Sequence, residues 1–273
     1  MKIVIKAENT SVRSKSVAQV LALVAKRFIG DGHRLVITHG DSEPPAFHLN
    51  RNNGTKAAVH GAGCPIEGRD TALEMLYGNP TIALRAAFKM AGLMAIRLSG
   101  ADGNVFCVRR EPTSMIAEIV AADPFWLEVI SAKGGIPLLD NLALGPGEEY
   151  CWINADQVAS ACATAWDADA LIILAEADRL QEQNGTVIRW LPTDKISDLL
   201  ATCAIPPHVS SELNACCHAL KHGVRRARIF PISQLDSLSS FYFSRIDCGT
   251  EVILLEPGTG VPLSSRQANS ARI

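Results

Sequence analysis

The sequence predicts an α/β protein, a three-layer α/β/α sandwich on an open, mostly parallel sheet. Three observations predict it. Short apolar runs of strand length alternate with longer stretches of helical periodicity over most of the chain. Runs such as ALIIL at Ala170–Leu174 are apolar throughout, as strands buried on both faces are. With 273 residues, 48% of them apolar, the chain is long enough for one large domain or two small lobes, and no repeat at solenoid spacing appears.

The elements follow in order. Lys2–Lys6 reads as the first strand. Val12–Ile29 reads as a helix, with Val17, Val20, Leu21, Val24 and Phe28 at helical spacing, and Gly30-Asp31-Gly32 stops it. Arg34–Thr38 is a second strand, followed by a loop rich in Pro, Asn and Gly from Gly40 to about Gly68. Helices are expected at Arg69–Tyr77 and at Pro80–Ala91, where Pro80 suits a first turn. Leu93–Leu98 is a strand, and Ser99–Gly103 a turn. Asn104–Arg109 and Ile116–Ala121 read as an antiparallel pair. Asp123-Pro124 caps a helix that runs through Ala132. Ile136–Asp140 is a strand, and Gly145-Pro146-Gly147 a turn. Ala155–Trp166 is a helix and Ala170–Leu174 a strand. Thr193–Cys203 and Ser210–His222 are helices, and Arg225–Phe230 and Thr250–Leu255 the last strands. The break near Gly145–Tyr150 divides an expected first lobe, 1–145, from a second, 146–256. The polar stretch 257–273 reads as a loose tail.

The formal net charge is −2 with 20% charged residues, which offers no basic excess for nucleic acid. No run reaches the roughly 18 apolar residues of a membrane span, and the N-terminus reads as a strand, not a signal peptide. The expectation is a cytoplasmic protein with no nucleic-acid or membrane partner. Its eight cysteines are then reduced and mostly buried, and the sequons at Asn9 and Asn184 carry no meaning.

No phosphate loop of the G-x-x-x-x-G-K-[ST] type, no G-x-G-x-x-G after the first strand and no G-x-S-x-G elbow is present. Cys203, His208, Cys216, Cys217, His218 and His222 could hold zinc, since His218 and His222 share a helix face. Their spacing matches no standard site and the helix is strongly apolar, so plain core and surface residues are the simpler reading, and no metal is assigned. Taken alone, Lys6 is a strand end and Asp156 a helix-opening residue.

Together the pieces say more. The segments LVITHG, LSGADGNVF, EIVAADPFWLEVI, GGIPLLDNLALGPGEEYCWINADQVASACATAWDADALIIL and GTEVIL resemble the amino-acid kinase family, and within it most of all the acetylglutamate kinases. The resemblance runs from Lys2 to about Leu255, and INAD with its flanking strand and helix is its most specific part. LSGADGNVFCVRRE is also similar to related kinases acting on carrier-protein-linked aminoadipate. The resemblance implies the amino-acid kinase fold, with about eight strands in a single sheet. It implies an N-terminal lobe that binds an acyl amino acid and forms a dimer, and a C-terminal lobe that binds ATP and Mg2+. The implied reaction is ATP-dependent phosphorylation of the side-chain carboxylate of N-acetylglutamate, a step of arginine biosynthesis. Two lysines with an aspartate between them would neutralise charge as the carboxylate attacks the γ-phosphoryl group.

Carried onto this chain, the catalytic positions are Lys6, Asp156 and Glu212, the last where the family has its second lysine. Substrate-binding positions are Arg69, Asn154 and Gly40, and nucleotide-binding positions are Ala175, Glu176 and Asp178. The departures are grouped. Ala7 and Glu8 replace paired glycines after Lys6, and only Gly40 survives of the glycine run that Asp41-Ser42 interrupts. The arginine loop is shortened to Gly68-Arg69-Asp70, Trp152 replaces an asparagine, and the nucleotide loop reads Ala175-Glu176-Ala177-Asp178-Arg179. A Lys-to-Glu reversal about 4 Å from a unit charge, at an effective dielectric near 20, swings the interaction by roughly 8 kcal/mol. Two expectations follow. One is an acetylglutamate-kinase-like phosphotransferase of weak or lost activity. The other is a non-catalytic paralogue, acting as an amino-acid or nucleotide sensor or as partner subunit of an active kinase. The resemblance implies a homo-oligomer, and the second expectation a hetero-oligomer with a related kinase.

Overall fold

A computed structural model describes residues 1–41, 80–111, 116–147, 150–176, 180, 188–202, 207–239 and 248–255. The expected helix at Arg69–Tyr77, with Arg69 itself, lies outside the described residues, as do Asp178, Cys203 and the tail 257–273.

In chain order the elements are β1 Lys2–Glu8, α1 Asn9–Val12, α2 Lys15–Gly30 and β2 Arg34–Gly40, then α3 over 80–90 and β3 Ala95–Leu98. Next come the hairpin β4 Phe106–Arg110 and β5 Ala117–Ala122, helix α4 Phe125–Ala132 and strand β6 Ile136–Leu139. The hairpin β7 Leu142–Leu144 and β8 Tyr150–Trp152 leads into α5 Ala155–Ala165 and β9 Ala170–Ala175. The chain continues with β10 Trp190–Pro192, α6 Ile196–Thr202, α7 Pro207–Lys221, β11 Arg226–Pro231 and β12 Thr250–Ile253.

Eight strands form one sheet in the order β10-β12-β11-β9-β1-β2-β6-β3. All neighbours are parallel except β11 and β12. Strands β1, β2, β6 and β3 make one side of the sheet, and those after Ala165 make the other.

The three layers follow from the two faces of the central strands. Along KIVIKAE, Ile3 and Ile5 face one way and Val4 and Lys6 the other. Ile3, Ile5, Leu35 and Ile37 pack against α2 through Ala18, Leu21, Ala22, Ala25 and Phe28, and against Leu84 and Phe88 of α3. Full burial of a side chain such as Leu21 or Phe28 stabilises by about 1.5–3 kcal/mol. Val4, Val36, Leu171 and Ile173 face the other layer, built from α4, α5 and α7.

The helix expected at Val12–Ile29 divides in two, α1 ending at Val12 and α2 starting at Lys15 after a turn at Arg13–Ser14. The helix expected at Thr193–Cys203 begins as a 3-10 turn at Thr193–Lys195 and becomes α6 only at Ile196. Strand β8 is the strand expected before INAD, and β7 and β10 are additions to the expected set, each three residues long. The six described cysteines are free thiols, four of them buried. Among the described residues no helix is long and apolar enough to cross a membrane.

Candidate active site

The site stands at the C-terminal ends of β1, β2 and β9, where parallel α/β sheets place ligands. Lys6 occupies the last buried turn of the β1 pleat, in register with Thr38 of β2 and Ile173 of β9. Its ammonium pairs with Asp156, Nζ to Oδ1 at 2.8 Å, and with Glu8 Oε1. Glu8 reaches it because residues two apart on a strand share a face. Lys6 is 0% exposed, Asp156 1% and Glu212 2%, while the Glu8 side chain, 16% exposed, reaches the surface.

Asp156 is delivered by the local structure of INAD. Asn154 adopts an extended backbone, φ −59° and ψ 128°, and its side-chain oxygen accepts from the N–H groups of Asp156 at 2.8 Å and Gln157 at 3.2 Å. That cap starts α5 and sets Asp156 in its first turn, over the end of β1. Ser211 Oγ of α7 donates to the same Asn154 oxygen at 3.2 Å, which ties the two helices together beside Glu212.

Burial and charge oppose each other here. Burial by itself would lower the Lys6 ammonium, but Asp156, Glu8 and Glu212 outweigh it and hold it above its ordinary value. Burial pushes the Glu212 carboxyl up to about 8, against the pull of Lys6 and with the help of Asp156, Glu8 and Glu176. The sequence expectation of a bare anion at Glu212 is therefore corrected: at neutral pH the carboxyl is mostly protonated, because three neighbouring acids and a dry environment disfavour its charge. Glu8 and Asp156 pair with the Lys6 ammonium directly.

Around Gly40 a second network forms. His39 Nδ1 meets Asn9 Oδ1 at 2.9 Å, Thr81 Oγ1 lies 3.0 Å from His39 Nε2, and Asn9 Nδ2 donates to Asp41 Oδ2 at 3.3 Å. Burial, helped by Arg97, lowers His39 to about 3, so the ring is neutral. A Cβ on Gly40 would stand 2.5 Å from Asn141 Cγ, so only glycine fits there. Asn141 in turn donates to the Ile153 carbonyl at 2.7 Å, binding the end of β2 to the segment that leads into Asn154. Asn9, whose sequon carried no meaning in the sequence, is thus fully buried and central to the site. Its one sequence signal was its place directly after β1.

Ala175 is buried at the end of β9, and Glu176 accepts from Ser11 Oγ at 3.1 Å and Thr10 Oγ1 at 3.3 Å. Trp152 is buried in β8, where its indole N–H finds no hydrogen-bond partner among the described residues. His218 Nδ1 is engaged by Ser160 Oγ at 2.8 Å, and its ring stacks on His222 at 4.1 Å. Among the described residues no group of three His, Cys, Asp or Glu is placed to hold a metal ion.

Comparison with known proteins agrees with the architecture. The model of the amino acid kinase family matches residues 1–231. The chain is 34% identical to an acetylglutamate kinase of Acidobacterium capsulatum, over 93% of this chain and 99% of that one. It is 30% identical to an acetylglutamate kinase of Koribacter versatilis over the same shares. Among solved structures, an N-acetylglutamate synthase from Neisseria gonorrhoeae, complexed with coenzyme A and N-acetyl-glutamate, superposes with a TM-score of 0.75 at 19% identity. That likeness covers 92% of this chain but only 59% of the synthase, so the chain spans about three-fifths of its length. A carbamate kinase from Giardia superposes with a TM-score of 0.64 at 11% identity, over 93% of this chain and 98% of that one. With its mostly parallel eight-stranded sheet, its INAD helix start and these matches, the chain belongs to the amino acid kinase family.

Proposed function

We propose that this protein is an acetylglutamate-kinase-like member of the family that keeps the frame for an acyl amino acid and has lost efficient phosphoryl transfer. The family reaction has a substrate carboxylate attack the γ-phosphorus of ATP while the β–γ bridging oxygen leaves with ADP. The protein's part is to place two anions together and neutralise their charge.

One observation carries the reading. The ammonium of Lys6, the cation that would meet the γ-phosphoryl group, is already bound by Glu8 and Asp156. The second lysine of the pattern is Glu212, and Glu176 stands nearby at the mouth of the nucleotide side. A triphosphate would meet carboxylates where it needs donors, and Ala7 and Glu8 carry side chains where bare glycine backbone would cradle phosphate. The residues present therefore fit Mg2+–ATP poorly. Asn154, Gly40 and the His39–Asn9–Asp41 network support retention of the acyl-amino-acid side.

Calorimetry with Mg2+–ATP, with and without N-acetylglutamate, tests this beside a coupled kinase assay. The expected outcome is no saturable nucleotide heat at millimolar ATP and turnover at least a thousandfold below the roughly 1–100 s⁻¹ of ordinary kinases. The doubly substituted chain Glu8→Gly/Glu212→Lys should gain nucleotide binding. Micromolar binding with ordinary turnover in the natural sequence would sink the proposal.

A further inference from the structure

A cleft of about 490 Å³ lies between strand β5 of the first hairpin and helices α5 and α7. Its lining includes Asn154 and Ser211, which sit next to the acidic cluster in sequence, two residues before Asp156 and one before Glu212. From there it follows one face of α5 past Ala161 to Ala165. Eleven residues of helix at 1.5 Å each make this a trough about 16 Å long. Its volume falls within the roughly 300–1,000 Å³ of pockets that hold small organic ligands.

The walls decide the chemistry of the occupant. Half of the lining side chains are aliphatic, and the other half end in a hydroxyl, a carboxamide or an imidazole. Among the described residues no Asp, Glu, Lys or Arg lines the cleft. A charged group placed here would lose its hydration with no opposite charge to replace it, whereas an uncharged group with one or two polar atoms would not. Burial, and then the neighbouring His222, lower the pKa of His218, which disfavours a charge on that ring as well. The polar contact is built. Ser160 Oγ lies 2.8 Å from His218 Nδ1, while the His222 ring stacks on the imidazole at 4.1 Å. The carboxamides of Gln157 and Asn214, also in the lining, carry N–H donors suited to a carbonyl oxygen.

We propose that this cleft binds an elongated, uncharged aliphatic chain bearing a carbonyl group, the neutral portion of a small-molecule ligand. The inference does not rest on the phosphoryl-transfer reading, since it concerns a surface with no catalytic group. Its test uses probes that carry neither an amino-acid head nor a phosphate.

Titration of the isotope-labelled full chain with acetamide, butanamide and hexanamide, followed by two-dimensional NMR, reads the site directly. Amide shifts should centre on Ala161, Ala165 and His218, and affinity should rise about three- to fourfold for each added methylene. Hexanoate and hexylammonium should bind at least tenfold more weakly than hexanamide. Ala161→Phe, at a partly exposed helix position, should fill the trough and abolish the effect. Ala165→Leu should weaken it, which keeps the test decisive if the larger substitution disturbs folding. Affinity that ignores chain length, shifts confined to other surfaces, or equal binding of the charged analogues would each overturn the proposal.

Discussion

At the scale of single residues, the Lys6 cluster is where the fold concentrates electrostatic risk. One buried ammonium serves two direct carboxylate partners and lowers the cost of a third acid behind them. Breaking a buried pair by deleting one partner costs more than the pair was worth, because the survivor stays buried without compensation. Lys6→Met is therefore expected to lower unfolding free energy by about 3–5 kcal/mol. Urea denaturation at pH 7 measures this, and a loss below about 1 kcal/mol would mean that the cluster is solvated. Glu8 as a partner was not legible, because the sequence reading ended the strand at Lys6, whereas β1 runs on to Glu8 and puts it on the same face two residues away. Asp156 and Glu212 were legible only as positions in a resemblance, and their meeting at Lys6 depends on two helices from distant parts of the chain.

Elements transmit that geometry. Helix α5 starts where it does because Asn154 caps it, and the same carboxamide oxygen receives Ser211 from α7. Asn154→Ala removes both contacts. A lost cap of this kind costs about 1 kcal/mol, with about 1 more from the lost inter-helix hydrogen bond. Thermal unfolding should show a fall in Tm, while Asn154→Asp, which still accepts both bonds, should recover most of it. Unchanged Tm in the alanine variant would show that water replaces the cap. The start of this helix was legible in the sequence because capping is local. Strands β7 and β10 were not, since a three-residue strand is too short to display a period of two.

For the whole molecule, the buried titratable groups shape stability against pH. The Glu212 pKa is raised from 4.5 in the unfolded chain to about 8 in the fold, so the native state binds more protons between those values. Stability from this group is thus full below about 4.5 and is lost as pH rises toward 8, by at most about 1.4 kcal/mol per pH unit. Asp140, raised to about 6 by burial, acts in the same direction over a lower window. His39 works in the opposite direction. Its pKa is lowered from 6.5 to about 3, so stability falls as pH drops below 6.5 and the unfolded chain takes the proton. Between pH 6 and 8 the Glu212 contribution dominates. Urea midpoints should fall over that interval, and Glu212→Gln should remove about 1–3 kcal/mol of the decline. A natural chain whose stability is flat from pH 6 to 8 would show that Glu212 is ionised throughout.

The sequence by itself determined the layered α/β architecture, the mostly parallel sense of the central sheet, the start of α5 at Ala155 and the family, while the cap it placed at Asp156 falls on Asn154. Each of these is carried by patterns that repeat over a few residues or by a contiguous motif. Tertiary structure alone decided which acids surround Lys6, that Glu212 is neutral at ordinary pH, that Asn9 is a buried link between His39 and Asp41, and that a neutral trough runs beside α5. The physical reason is shared by all four. Ionisation, burial and cavity shape depend on what is packed nearby in space, and here those neighbours come from strands and helices separated by up to two hundred residues.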